Sequence, residues 1–450
     1  MPRIGPAKLL FPLRGLLLAG AAGLLLGAGT ASASTATTPL AADLARQLSL
    51  AGPHDGAYVY DLNTGQTLFS DRATTARPPA SVEKLYTATT ALQLLGPSAR
   101  LTTSVLGVGR LAPGGVWEGD LYLRGGGDPT FGSTGFIQSH YGGVGASVTT
   151  LVTQLVRVDG IHHVTGSVLG DESMLDSLRG EPSSGYAPDP FLEGTLSALA
   201  FNRGESGSSS APHAPAAYAA HELWAALKSD GVSIHGRSGE AVTPPTATPL
   251  AQVASPTLEE LLGLMLPPSD NFFAETLVKD LGARFAGSGT TAAGAGLVER
   301  TIGSMLGSRP TVLDGSGLSP ADRTSPYLVV RLLITLAGSA IGNVVRSHMA
   351  VAGRTGTLAL RMRHTGAAGR CQGKTGTLTG VSNLAGYCRT ANGHTVAFAV
   401  FTDGIAIEAA HTFQDHIAIS LADATLAGAV PAPPPAPSPG VSAPGAAVAP

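Results

Sequence analysis

The chain has 450 residues, 43% of them hydrophobic and 13% charged, with a formal net charge of −3 at pH 7. That length and apolar content suffice for a large core and more than one domain. The near-neutral balance, without a basic cluster, argues against nucleic acid as the partner.

Arg3, Lys8 and Arg14 precede an apolar run from Gly15 to Gly29 and then Ala31-Ser32-Ala33. A basic start, a short apolar middle and an A-x-A site predict a secretory signal peptide over residues 1–33, cut after Ala33, the alternative being a retained membrane anchor. No later stretch is apolar for long enough to span, so no stable membrane span is expected after cleavage. The mature protein is then expected outside the cytoplasmic membrane, extracellular or associated with the cell wall. Leu40 to Leu48 has helical spacing, and the runs 57–62 and 66–69 flank Asn63-Thr64-Gly65 as a hairpin. Two prolines, Pro78 and Pro79, lead into a predicted helix from near Ser81 to Leu95.

From Leu101 the pattern turns to short β-like runs at 102–108, 120–123 and 164–169, with a helix at 148–158. Residues 101–248 read as an inserted module, with a flexible Ser/Gly/Pro-rich loop from Gly204 to Pro215. Gly125-Gly126-Gly127 lacks a following G-K-[ST], which makes it a tight turn rather than a phosphate loop. Helical periodicity resumes at 258–265, 272–281 and 326–337, followed by strands at 372–378, 384–389 and 396–401 and a closing helix at 409–421. Residues 34–100 and 249–428 form the predicted core. The Pro/Ala-rich tail 429–450 is expected to be disordered.

Three short motifs carry the chemistry. On a helix, Ser81 and Lys84 stand three residues apart on one face, so hydroxyl and amine can meet. A serine alcohol needs an adjacent base, and a lysine serves only if burial or a nearby cation lowers its pKa. Ser269-Asp270-Asn271 lies between two helical stretches, and Lys374-Thr375-Gly376-Thr377 lies on a strand where Gly376 leaves room for a ligand. Read singly, these are a capped helix with a surface lysine, a helix cap, and an ordinary strand. Yet each pattern occurs once, in this order, and together they use two of only five lysines (Lys8, Lys84, Lys228, Lys279, Lys374) in a chain with 23 arginines. The twelve histidines form no metal spacing, so neither metal nor organic cofactor is expected.

With Gly126-Gly127-Asp128-Pro129, Phe272-Phe273-Ala274-Glu275 and Asp314-Gly315-Ser316-Gly317-Leu318-Ser319, these motifs make the chain resemble the penicillin-recognising serine enzymes. It is most similar to the class C low-molecular-mass penicillin-binding proteins, which are D-alanyl-D-alanine carboxypeptidases and endopeptidases. The resemblance implies an α/β fold of the α+β type, with a transpeptidase-like antiparallel sheet covered by helices and a large β-rich insert. It implies peptidoglycan peptides ending in D-Ala-D-Ala as substrate and β-lactams as inhibitors. Ser81 would be the nucleophile, Lys84 the base and Ser269 a proton relay. Backbone N–H groups of Ser81 and Thr377 would form the oxyanion hole. Asn271 would hold the substrate amide, and Lys374, Thr375 and Thr377, beside Gly376, its terminal carboxylate. The charge of Lys374 would help lower the pKa of Lys84. The alternatives are a β-lactamase, and a non-catalytic wall-binding protein on the same scaffold.

Arg354-Thr355-Gly356-Thr357-Leu358 echoes the lysine motif but lacks its hairpin context and reads as a decoy. Asp128 and Arg323 read as a turn cap and a surface ion pair. A hairpin centred at Thr379 and Gly380 would place Cys371 opposite Cys388, within reach of a disulfide, the alternative being two separate buried thiols.

Overall fold

The run Thr-Val-Ala-Phe-Ala-Val-Phe-Thr-Asp is apolar on both faces, as a strand covered from both sides must be, and it forms β13 (Thr395–Asp403). Val396, Phe398 and Val400 pack into one core and Ala397, Ala399 and Phe401 into another, because successive side chains point to opposite faces. The computed structural model describes residues 38–204 and 214–428. The expected signal segment, the tail and most of the expected 204–215 loop lie outside the described residues.

Strand β13 is near the middle of a six-stranded antiparallel sheet. Its order is β10 (Ala350–Val351), β11 (Cys371–Leu378), β12 (Val381–Arg389), β13, β1 (Gly56–Asp61), β2 (Gln66–Asp71). Helices α1 (Pro39–Ser49) and α11 (Ile407–Asp423) cover one face. The other carries α2 (Lys84–Leu95), α6 (Leu258–Met265), α7 (Asn271–Phe285), α8 (Thr291–Leu306), α9 (Pro326–Leu336) and α10 (Ala340–Ser347). This is the expected α/β architecture of an antiparallel sheet between helical layers.

A second, seven-stranded sheet is built from residues 102 to 254. Its antiparallel part is β9 (Thr248–Ala254), β3 (Thr102–Ala112) and β4 (Val116–Arg124). Four short parallel strands join it: β5 (His163–Val164), β6 (Val168–Asp171), β7 (Ser233–Ile234) and β8 (Ser238–Glu240). Helices α3 (Thr134–Tyr141), α4 (Val148–Thr153) and α5 (Pro215–Ser229) lie in the same part of the chain, and Leu121, Leu151 and Leu223 share its separate core. The single strand expected at 164–169 is in fact two, because β5 pairs with Val116 and Trp117 whereas β6 pairs with Leu121 to Arg124.

Helix α7 runs beside loops of this second part. The Lys279 amine donates to Asp176 at 2.6 Å and to the Leu178 carbonyl at 2.7 Å, and Arg284 donates to the Gly126 carbonyl at 3.0 Å. Among the described residues no single helix is long and apolar enough to cross a membrane. Among those residues no group of His, Cys, Asp or Glu is arranged to hold a metal.

Candidate active site

The chain enters the site through Pro78 and Pro79, whose carbonyls both accept from the Asn383 side-chain amide, at 2.9 and 2.8 Å. The Asn383 oxygen accepts from the Thr402 amide, so this buried side chain bolts the entry to β12 and β13. Ala80 follows at φ +48°, a conformation that costs a residue with a side chain and survives only under such constraint. Ser81 lies in the 3₁₀ turn Ala80–Glu83, and the regular helix begins at Lys84 rather than at Ser81 as expected. The strained entry winds the first turn tightly, and the Lys84 N–H bonds to the carbonyls of Ser81 and Val82.

Strand β11 presses against this turn. A Cβ on Gly376 would meet the Pro79 carbonyl at 2.5 Å and the Ser81 nitrogen at 3.1 Å, so only glycine lets the strand so close. Lys374, Gly376 and Leu378 pair with Ala385, Asn383 and Val381 next to the hairpin turn. Hydrogen-bonding pairs alternate along an antiparallel ladder, so the N–H of Thr377 is turned away from β12.

The Lys84 amine has no exposed surface and donates to three acceptors: Ser81 Oγ at 2.9 Å, Asn271 Oδ1 at 2.6 Å and the Ser316 carbonyl at 2.8 Å. Burial lowers its pKa to about 8, against the opposing pull of Asp314, Glu275, Asp270 and Glu83. The expected cause, the charge of Lys374, is not the operative one. Lys374 is itself held far below its usual value, by burial first and by the Lys84 charge second. Its amine donates to Ser269 Oγ at 2.7 Å and to the Thr375 carbonyl at 2.8 Å.

Ser81, Lys84 and Asn271 are therefore joined directly, and Ser269 is joined to Lys374. Asn271, expected to hold substrate, is engaged by Lys84 through its oxygen and donates to the Phe191 carbonyl at 2.7 Å. The Thr375 hydroxyl donates to that of Thr357 at 2.8 Å, so the arginine echo touches the lysine motif; it does so as a 3₁₀ turn, Gly356–Leu358, not as a strand. Thr377 is exposed.

Behind Lys84 lie four buried carboxyls: Glu83 and Asp322, which no motif included, and Glu275 and Asp314, which the motifs included without a role. Glu275 follows Asn271 by one helical turn and accepts from the amides of Gly315 and Ser316 at 2.9 and 2.8 Å. Asp314 accepts from those of Ser316, Gly317 and Ser319. Together they fix the loop whose Ser316 carbonyl receives Lys84. Both oxygens of Glu83 lack a hydrogen-bond partner. Burial raises the pKa of all four carboxyls, and protons rather than counter-ions neutralise part of the cluster. Asp128 is the expected turn cap, accepting from the amide and hydroxyl of Thr130. Arg323 is not a surface ion pair; it donates to the carbonyls of Pro320 and Asp322 at 2.6 and 2.7 Å.

A half-buried serine beside a buried amine, on a helix-covered antiparallel sheet with a large second sheet, defines a peptidase of the penicillin-binding-protein fold. The model of the D-Ala-D-Ala carboxypeptidase 3 (S13) family matches residues 37–189 and 192–424. A D-alanyl-D-alanine carboxypeptidase of Actinomadura sp. (strain R39) is 30% identical over 83% of this chain and 82% of its own. The carboxypeptidase DacB of Mycolicibacterium smegmatis is 30% identical over 82% of each chain. The crystal structure of penicillin binding protein 4 from Haemophilus influenzae superposes with a TM-score of 0.70 at 19% identity, covering 83% of this chain and 98% of that one. The chain belongs to the D-Ala-D-Ala carboxypeptidase 3 family, and its function is that of a D-Ala-D-Ala carboxypeptidase, a peptidase hydrolase.

Proposed function

We propose that the carboxypeptidase works through an acyl-enzyme on Ser81. The observation that carries this reading is the 2.9 Å contact between Ser81 Oγ and a lysine amine whose pKa burial has lowered to about 8. The neutral Lys84 accepts the hydroxyl proton as Ser81 Oγ bonds to the carbonyl carbon of the penultimate D-Ala. The tetrahedral oxyanion is received by the N–H groups of Ser81 and Thr377, each donor worth roughly 3 kcal/mol in the transition state. As the C–N bond breaks, Ser269, hydrogen-bonded to Lys374, passes its hydroxyl proton to the departing D-Ala nitrogen and receives in its place the proton held by Lys84, which is thereby neutral again. Water then attacks the ester carbon, Lys84 takes the water proton and returns it to Ser81 Oγ as the acyl–oxygen bond breaks, and the shortened peptide leaves. Lys374 and the hydroxyls of Thr375 and Thr377 bind the substrate's terminal carboxylate.

The substrate is the peptidoglycan stem peptide, reached after export, and cross-links ending in the same D-Ala bond are cleaved by the same steps. The module inserted into the core runs from about 102 to 254 rather than ending at the expected 248, since β9 (Thr248–Ala254) pairs with β3 in the second sheet. A β-lactam presents a strained form of the scissile amide and acylates the same hydroxyl. The test is intact-mass and peptide analysis after incubation with a penicillin. A penicilloyl adduct is expected on the peptide bearing Ser81 and none in Ser81→Ala. An adduct that persists in that variant would overturn the assignment of the nucleophile.

A further inference from the structure

We propose that Arg203, which reaches α7 from the second-sheet part of the chain, is a positioning residue for Ser269 and Asn271. The inference rests on the acyl-enzyme reading and gives the intervening part of the chain a share in the chemistry.

Ser269 is held at φ +71°, a left-handed conformation that a side chain disfavours, directly before the helix it precedes. What holds it there is its neighbour. Asp270 caps α7, accepting from the Phe273 amide at 3.0 Å, and it also accepts both arms of one guanidinium. Arg203 donates to Asp270 Oδ2 at 2.6 Å and to Oδ1 at 3.1 Å, with side chains only 7% and 11% exposed. A two-armed contact of this kind fixes orientation as well as distance.

Arg203 is itself fixed on every side. It lies at φ +59°, after Asn202 at φ +50°. Its Nε donates to the Glu193 carbonyl at 2.6 Å, and its own carbonyl accepts from Thr195 at 2.9 Å. The guanidinium lies over the Phe272 ring at 4.9 Å. Asn202 is tied to the loop between β4 and α3 by the Ser133 amide, which donates to its side-chain oxygen at 2.8 Å. The Phe191 carbonyl, twelve residues upstream of Arg203, takes the Asn271 amide at 2.7 Å.

One non-helical stretch thus grips Asp270 and Asn271 together. It sets the hydroxyl of Ser269 on Lys374 and the oxygen of Asn271 on Lys84 from outside the six-stranded core. Neither Arg203 nor Phe191 is hydrogen-bonded to the substrate-binding strand β11, and the Lys374 amine is held independently by the Thr375 carbonyl. The effect therefore belongs to the rate of the chemical step and not to ground-state binding.

The test compares wild type with Arg203→Ala, Arg203→Lys, Asp270→Asn and the double variant Arg203→Ala/Asp270→Asn. The readouts are the penicillin acylation rate constant and kcat and KM on a D-Ala-D-Ala peptide, with folding followed by circular dichroism. Displacing reacting groups by about 1 Å costs on the order of 100-fold. Arg203→Ala and Asp270→Asn are therefore expected to lower the acylation rate constant about 30- to 100-fold with KM nearly unchanged. The double variant should be no slower than the slower single one, since both break one contact. Arg203→Lys keeps the charge but not the fork, and is expected to stay about tenfold below wild type. A folded Arg203→Ala that acylates like wild type, a loss confined to KM, or losses that multiply in the double variant would each overturn the proposal. If Arg203→Ala does not fold, Arg203→Lys decides alone, a wild-type rate overturning it. Wild type that carries no adduct on Ser81 would instead overturn the acyl-enzyme reading.

Discussion

Lys84, Lys279 and Lys374 have no exposed surface, and among the described residues only Lys228 is an exposed lysine. A chain that writes its ordinary positive charges as arginine keeps lysine where a cation must be buried or must be able to release its proton. For Lys84 that has a measurable consequence. With a pKa of about 8, roughly one amine in ten is neutral at pH 7, and in the proposed mechanism Lys84 acts as base only when neutral. Acylation of Ser81 should therefore rise with pH from 6 through about 8 and level off above it. A profile that is flat or falling over that range would point to another base. Lys374 and its echo separate by the same logic. Lys374→Ala removes the donor to Ser269 and the cation proposed for the substrate carboxylate, and acylation should fall by about 100-fold or more. Arg354 is exposed and makes no ion pair among the described residues, so Arg354→Ala should stay within a few-fold, even though the neighbouring Thr357 touches Thr375.

At the scale of elements, the hairpin of β11 and β12 was the most legible part of the chain. A two-residue turn fixes every pairing that follows, and Cys371 falls opposite Cys388 as that register requires. The two are joined by a disulfide with Cα atoms 4.1 Å apart, in a non-hydrogen-bonded pair where strands come closest. The bridge spans a sequence separation of 17 and should contribute roughly 3 kcal/mol by loop entropy. Reductant is expected to lower the melting temperature by several degrees. Two titratable thiols in the unfolded, unreduced chain would contradict the bridge. Helix α8 left less trace, because its Gly and Ala content suppresses the 3.6-residue apolar pattern that made α6 and α9 readable. The serine, lysine and asparagine of the site were legible as triplets. Their supports were not: Arg203 meets Asp270 across 67 positions and Asn383 meets Pro78 across 305, and contacts that distant leave no local periodicity. Glu275 is the exception, one turn beyond Asn271 on the same helix face and open to a reading by spacing alone.

Over the whole molecule, α7 is the shaft on which both sheets are hung. Its first residue, Asn271, meets Lys84, its cap Asp270 meets Arg203, and its middle meets Asp176 through Lys279. Lys279→Ala would strand a partly buried carboxylate and leave a gap, and should cost roughly 3 kcal/mol, read as a lower denaturation midpoint at unchanged slope. The next residue, Asp280, is fully buried with no hydrogen bond to either oxygen, and Gly127 passes directly over it. Burial pushes its pKa well up, with Asp128 adding to the shift and Arg284 opposing it; burial likewise raises Asp128 to about 6. A carboxyl that stays protonated in the native state but ionises near 4 when unfolded lends stability that is complete in acid and is lost as pH climbs through its folded value. Asp280→Asn should therefore raise the melting temperature at pH 8 relative to wild type and leave it nearly unchanged at pH 4. An equal shift at both values would remove titration as the cause. Glu83 and its neighbours behind Lys84 carry the same sign, so acid conditions that favour the scaffold silence the base proposed for it, while alkaline conditions that free that base strain the scaffold. The working range of this enzyme is thus squeezed from two sides, by chemistry below and by cohesion above, and softening either limit should widen it at the expense of the other.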